Sequence, residues 1–509
     1  MRNVAVDSAG GSASKKGHKN VLLIVADDLG LYLGCYGTPK IQTHAIDTLA
    51  DEGTRFTNAF ASTASCSGSR STIYTGLHTH QNGQYGLEGG RNHFHTYEWV
   101  ETAPLLFNTL GYQTGIIGKV HVGIPSTYSW EVREESDSRD TRWVSQRAAA
   151  FFDKALETDR PFHLTIGWRD PHRDNTREDF GNQRQEVIDA GLQGPGYSTK
   201  DVEIKEYMTD LPEVRTELVN YYNSITRMDW GTGWILEALQ KRGLDKSTLV
   251  VFVSDNGAPF INSKTTMYES GIRLPLIIRQ PGQKAGVVNP NMVSFLDILP
   301  TCLAWAGRKD DLKTPISYRS PKRLGDSILP ILNASEILPA HKWKQHVFGS
   351  HTFHEVSNYW PTRYLRTHRY KYHRNIAYKL DFPFAGDLYY SLSWEGYRNQ
   401  DGPVKIGKRP LQDYIFRTPE SLYDLEKDPE EVHNLAYEDE YQDLVKEFRG
   451  KMEAWQYETR DSWLYRDGIA VVTLEHFMEL GLEVPDRWEF DPKNPGSKHV
   501  PIWHPPKSK

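Results

Sequence analysis

At 509 residues the chain exceeds the usual single-domain size, and its 38% hydrophobic and 12% aromatic content can bury a large core. A net charge of −6 is small for this length and offers no field for gripping nucleic acid. Three cysteines, Cys35, Cys66 and Cys302, are too few and too scattered for a disulfide framework or a cysteine zinc site.

Residues 1–19 are small, polar and basic and read as a flexible tail. They lack the apolar core of a secretory signal, and no later stretch reaches the roughly 18 apolar residues of a membrane span. The expectation is a soluble protein without a membrane partner, cytoplasmic unless the tail is what remains of a processed precursor. The triplet Asn333-Ala334-Ser335 is only weak evidence for secretion.

Residues 21–25 form a short continuous apolar run, the pattern of a strand buried on both faces of a parallel sheet, and Asp27-Asp28 follow it. Ile46, Leu49 and Ala50 then share one helical face, with Gly53 as the stop. Cys66-Ser67-Gly68-Ser69-Arg70 stands where the next helix begins, and Leu106 and Leu110 mark another ahead of Gly111. Residues 114–117, 162–166, 249–253 and 276–278 repeat the apolar-run pattern, and a long helix covers 214–242. Strands alternating with helices predict an α/β domain with a mostly parallel sheet. From residue 340 the pattern becomes alternating and aromatic-rich, as over 364–372, which predicts antiparallel strands. Residues 422–425 precede a polar turn and a helix over 441–456. The predicted organisation is a tail (1–19), a catalytic domain (20–338) and a smaller α+β domain (339–509) that contains an antiparallel sheet and ends in an irregular Pro- and Trp-rich segment.

Four polar clusters follow apolar runs directly: Asp27-Asp28, Lys119-Val120-His121, Asp170-Pro171-His172-Arg173 and Asp255-Asn256-Gly257. Ligands of open α/β sheets bind outside the carboxyl ends of the strands, so these clusters are expected to converge on one charged crevice. Asp27, Asp28, Asp255 and Asn256 offer hard oxygen ligands suited to Ca²⁺ or Mg²⁺. Either pair alone reads more readily as structural, Asp27 as a helix cap and Asp255-Asn256-Gly257 as an ordinary turn; together with the Cys66 motif they point to a metal. Cys66 at a helix N-terminus, with Arg70 one turn on, reads as a low-pKa thiolate or as a buried inert thiol. Arg91 and Arg173 are candidate carboxylate or sugar contacts. His351, His354 and Glu355 could line the substrate mouth or equally belong to the second domain's core.

Residues 20–28 and 65–76, Gly118-Lys119-Val120-His121-Val122-Gly123, and Asp255-Asn256-Gly257 with Lys264 resemble the sulfatase family. His80-Gln81-Asn82-Gly83, Asp170-Pro171-His172-Arg173, Arg227-Met228-Asp229, Gly349-Ser350-His351 with His354-Glu355-Val356, and Trp455-Gln456-Tyr457-Glu458-Thr459 resemble its sulfamidase branch. The similarity runs from about residue 20 to 465. It implies an alkaline-phosphatase-like fold, one bound Ca²⁺ (Mg²⁺ or Mn²⁺ as substitutes), and oxidation of Cys66 to formylglycine (3-oxoalanine) by a formylglycine-generating enzyme. Position by position, it implies that Asp27, Asp28, Asp255 and Asn256 hold the metal together with residue 66. Arg70 and Lys119 would steady the hydrated aldehyde and the sulfuryl oxygens, with His121 serving the diol, His172 the leaving group and Lys264 the sulfuryl group. The implied substrate is a small sulfated molecule such as N-sulfated glucosamine, and the implied assembly a homodimer. Gly68 departs from the family's Cys-x-Pro-x-Arg maturation signal. The residues leave open an aryl or alkyl O-sulfatase, a phosphonate or phosphodiester hydrolase on the same scaffold, and a sulfated-sugar-binding protein with unconverted Cys66.

Overall fold

The computed structural model describes residues 17–308, 312–464, 476 and 479–481. Residues 1–16 of the expected tail, and most of the expected Pro- and Trp-rich end, lie outside the described residues.

The large sheet has eight strands: Asn20–Ala26 (β1), Thr54–Phe56 (β2), Gln113–Gly118 (β3), Val132–Glu135 (β4), Phe162–Gly167 (β5), Thr248–Ser254 (β6), Leu276–Arg279 (β7) and Val287–Asn289 (β8). Their spatial order is β4-β3-β5-β1-β6-β7-β2-β8. All seven residues of β1 are buried, and the strand pairs in parallel with β5 on one side and β6 on the other. The continuous apolar run therefore means what it predicted: a central strand covered on both faces. The sheet is mostly parallel as expected; only the run 276–278 departs, because β7 runs antiparallel to both β6 and β2.

Side-chain alternation along β1 divides the core. Leu22 and Ile24 join a cluster with the helices His44–Glu52 (α1), Thr141–Glu157 (α4) and Pro212–Lys241 (α5). Val21, Leu23 and Val25 join one with Cys66–Thr75 (α2), Ala103–Thr109 (α3) and Ile298–Trp305 (α6). Gly53 stops α1 as expected, with a φ of −126° outside the left-handed region. What calls for glycine there is room, since a Cβ would come within 2.5 Å of the Ile278 carbonyl oxygen. In α3 Leu106 is buried but Leu110, just past the helix, is 39% exposed, so the two do not share a buried face.

A second sheet, all antiparallel, comprises His346–Phe353 (β9), Tyr359–Thr367 (β10), Tyr370–Asn375 (β11) and Glu420–Asp424 (β12), in that order. Helix Gln442–Glu458 (α7) packs on it through Val445, Phe448, Met452 and Trp455. The intervening segment reaches back: Phe382, Leu388, Trp394 and Tyr397 belong to the same apolar cluster as α5. This return brings a C-terminal segment, with the short helix Gly386–Tyr389, to the carboxyl ends of the large sheet's strands. Among the described residues no helix is long and apolar enough to cross a membrane.

Candidate active site

The strand ends β1, β3, β5 and β6 deliver the four polar clusters to one place. Backbone bonds lock them together: Asp27 N donates to the Asp170 carbonyl (3.1 Å) and Asp255 N to that of Ala26 (3.0 Å). Asp28 sits at φ 62°, in the left-handed region disfavoured for residues with a Cβ. Tyr221 of α5 holds it there by donating its hydroxyl to the Asp28 and Leu29 carbonyls at 2.6 and 2.7 Å.

Cys66 is the first residue of α2, and its Sγ lies 3.7 Å from Asp28 Oδ1. All ten residues of this polar helix are buried. Burial is tolerable because its hydroxyls bond to its own carbonyls: Ser71 to Gly68, Thr72 to Ser69 and Thr75 to Ser71, each at 2.7 Å. A Cβ at Gly68 would meet the Thr63 methyl at 2.9 Å, a local reason for glycine where the family's signal has proline.

The loop entering α2 is clamped by three histidines. Ser62 bonds His78 Nδ1 (2.7 Å), Thr63 bonds His351 Nδ1 (2.8 Å) and Ser65 bonds His354 Nδ1 (2.9 Å). Burial above all holds all three rings well below the ordinary histidine value, His351 and His354 at about 3, so they act as neutral hydrogen-bonding groups. His351 and His354 thus fix the approach to Cys66 from the second sheet. Glu355 accepts from Gly386 N at 3.3 Å and braces the start of the short helix Gly386–Tyr389 that carries Asp387.

Asp27, Asp28 and Asp255 crowd the centre, and Arg70, Lys119 and Lys264 neutralise them only in part, since Lys264 is shared with Asp387. Arg70 Nε donates to Asp255 Oδ2 (2.8 Å), and its Nη1 to the Lys119 carbonyl (3.2 Å). Lys119 Nζ donates to Asp27 Oδ2, and Lys264 Nζ to Asp28 Oδ2 (2.8 Å) and Asp387 Oδ2 (2.7 Å). Asn256 Nδ2 donates to Asp28 Oδ1 at 2.7 Å. Burial favours a protonated Asp27, but Lys119, with Arg70 and Arg169, overcomes it and holds that group well below the usual carboxylate range. Burial together with the Asp27 charge pushes Asp255 up to about 8, and burial raises Asp28 as well against the pull of Lys264. Meanwhile Asp27 Oδ1 and Asn256 Oδ1 are buried without a hydrogen-bond partner. Asp27, Asp28 and Cys66 offer ligand atoms within 4.8 Å of one another. Unpartnered hard oxygens beside carboxylates forced upward are what a divalent cation of the Ca²⁺ or Mg²⁺ type would satisfy, so the donor set fits one.

His172 Nδ1 lies 2.5 Å from the Arg173 carbonyl, which assigns the ring proton to Nδ1. Its Nε2 faces Lys264 Nζ at 3.3 Å. Burial, then Lys264, hold His172 well below the ordinary value. At neutral pH the proton available at Nε2 is therefore the one on Lys264. His121 sits at φ 53°, its Nδ1 unpartnered, and burial likewise keeps it neutral.

Most predicted site residues thus converge, but two diverge. Arg173, adjacent to His172, turns inward: its guanidinium pairs with Glu217 and donates from Nη2 to the Pro259 carbonyl at 2.9 Å. Arg91 is exposed on a loop. Two residues had escaped the sequence reading. Asp387 comes from a segment without a recognisable motif. Arg169 directly precedes the Asp170-Pro171-His172-Arg173 cluster; its charge is felt at Asp27, His121 and His172, and its Nε has no partner. Its place at the end of β5 was the available signal.

A sulfatase family model matches residues 19–308. The chain is 33% identical over 470 residues to human N-sulphoglucosamine sulphohydrolase, covering 89% of this chain and 92% of that protein. It is 27% identical to an ulvan-active sulfatase of Formosa agariphila, covering 86% of this chain and 79% of that one. Among solved structures, one in complex with its substrate D-glucosamine-2-N,6-O-disulfate superposes with a TM-score of 0.62 at 20% identity, over 87% of this chain and 98% of that one.

Proposed function

The chain belongs to the sulfatase family, and on that premise we propose that it is a sulfamidase-like sulfohydrolase that cleaves the N–S bond of N-sulfated glucosamine or a similar sulfamate. The net reaction takes up one water: the sulfur–nitrogen bond breaks, a sulfur–oxygen bond forms, and sulfate and an amine leave. The observation that carries the reading is the placement of Cys66, 3.7 Å from Asp28, beside carboxylates paired with Lys119 and Lys264 whose charges reach it. The 33% identity to a named sulphohydrolase of an N-sulfated sugar supports the N–S choice.

Residue 66, oxidised to formylglycine by a generating enzyme, would supply a hydrated aldehyde as nucleophile, and a Ca²⁺ ion on Asp27, Asp28, Asp255 and Asn256 would supply Lewis-acid polarisation. The chain's own side chains do the rest. Arg70 fixes Asp255 and spans to the Lys119 carbonyl, so the first turn of α2 cannot drift from the strand ends. Lys119 and Lys264 face the sulfuryl oxygens from two sides and stabilise the charge that gathers there. His172 Nε2 and Lys264 Nζ share the proton offered to the departing nitrogen, which needs one because an amide anion is a poor leaving group. Neutral His121 takes the proton released at the nucleophile's side. Arg169 adds positive charge at the mouth.

Side-by-side rates on glucosamine N-sulfate, an aryl sulfate and a phosphonate monoester test the assignment. The reading expects the sulfamate to have the largest kcat/KM. An inert sulfamate beside a rapidly hydrolysed aryl sulfate would replace it with an O-sulfatase.

A further inference from the structure

Buried arginines in this protein have carboxylate partners: Arg70 has Asp255, Arg173 has Glu217 and Arg363 has Asp461. Arg409 and Arg417 break that pattern. They are 4% and 9% exposed, and among the described residues neither has a carboxylate within 4.0 Å. Arg409 donates only to neutral oxygens, Asn262 Oδ1 at 3.0 Å and the Glu430 carbonyl at 2.9 Å. Arg417 Nε donates to the Tyr414 carbonyl at 3.1 Å, while its Nη2 is buried with no partner.

Both guanidinium groups lie over aromatic rings: Arg409 over Tyr268 at 3.8 Å from its centroid, and Arg417 over Phe382 at 3.5 Å and Tyr268 at 5.0 Å. Stacking accounts for their orientation, but an aromatic face offers a guanidinium no hydrogen-bond acceptor. Both line a cavity of about 340 Å³ against β11 and β12. His373, 2% exposed, also lines it, and its Nε2 lacks a hydrogen-bond partner. The nearest acid, Glu431, lies 3.8 Å from that nitrogen but is paired with Lys371 at 2.9 Å. Asp413 and Glu438 stand on the same wall as exposed side chains.

We propose that this cavity is a second ligand site, separate from residue 66, which binds an oxyanion, a sulfate or carboxylate either free or carried on a small sugar, between Arg409, Arg417 and His373. Two desolvated cations with free N–H groups are stabilised by an acceptor of opposite charge, and a planar fork matches the geometry of an oxyanion. The volume is that of a small-molecule pocket and exceeds what a bare oxyanion fills. Thr418, Ser421 and Asn434 line the same wall but bond to one another and to the backbone, so the two arginines and His373 are the groups left to meet a ligand.

The test uses the full chain and does not depend on the reaction at residue 66. Crystals soaked in selenate, a tetrahedral oxyanion visible by anomalous scattering, should show a peak within hydrogen-bonding distance of Arg417. Equilibrium dialysis should find one fewer selenate site per chain in Arg417→Gln than in wild type, with Arg417→Lys retaining it. Displacement of that selenate by free sulfate more strongly than by glucuronate marks a free ion as the ligand, and the reverse order marks a sugar acid; either supports the site. Selenate peaks confined to the residue 66 site, or equal stoichiometry in wild type and Arg417→Gln, would overturn the proposal. The wild-type crystal decides the matter even where a variant fails to fold.

Discussion

Lys264 and Asp387, 123 positions apart, are joined by a 2.7 Å hydrogen-bonded ion pair whose other carboxylate is Asp28, at 2.8 Å from the same Nζ. The C-terminal part of the chain thereby supplies one wall of the site and neutralises part of the charge of a lysine that also holds Asp28.

Asp387→Asn keeps the shape of that wall but removes its charge. Losing a hydrogen bond between charged groups of this kind costs about 1.5–3 kcal/mol, so kcat/KM is expected to fall roughly 10- to 100-fold. Steady-state kinetics beside a melting curve checks this: the activity should drop while cooperative unfolding is retained.

The histidine clamp makes a second prediction. His354→Ala leaves Ser65 Oγ without its 2.9 Å partner directly before Cys66. The loop loosens, and kcat should fall about tenfold or more with KM little changed, because the ring positions the nucleophile's approach rather than binding substrate. A variant with raised KM and unchanged kcat would instead put His354 at the substrate mouth.

Removal of the cation should be visible in stability as well as in turnover. With three carboxylates around Asn256 and two buried oxygens unpartnered, dialysis against a chelator should lower the melting temperature, and added Ca²⁺ should restore it. At a hundredfold excess over Kd the ion contributes about 2.7 kcal/mol. Asp255→Asn should abolish both the Ca²⁺ response and the activity.

Asp229 gives a pH dependence away from the site. Its carboxylate accepts from Ile46 N (2.9 Å) and Ala45 N (3.1 Å) at the start of α1, yet burial pushes it up to about 7. The folded state therefore binds this proton more tightly than the unfolded chain. That contribution is fully present below the unfolded value of about 4 and is lost as pH rises through about 7. Denaturant unfolding of wild type and Asp229→Asn across that window should show the wild type losing stability relative to the variant as pH increases.

The sequence carried much of this architecture, and its gaps have physical reasons. β1, β5 and β6 were legible because strands covered on both faces must be apolar throughout. The reversed direction of β7 was not, since a three-residue apolar run, 276–278, looks the same read either way. The strand-end clusters converged because parallel strands share one carboxyl edge. Adjacency in sequence failed at Arg173, where neighbouring side chains leave the backbone in different directions: His172 faces Lys264 while Arg173 meets Glu217. Asp387 was invisible because its relation to Lys264 exists only after the C-terminal segment packs against α5.

The central claim is that residue 66 works as an oxidised side chain beside a cation. Trypsin cuts after Arg55 and Arg70, so a single peptide, Phe56 to Arg70, carries the position. Its mass, measured on protein whose sulfate release from a sulfamate has just been quantified, is the most direct test. The account predicts that the aldehyde-bearing peptide rises in step with specific activity and reacts with a hydrazide. Fully active protein in which that peptide holds only an alkylatable thiol would contradict it.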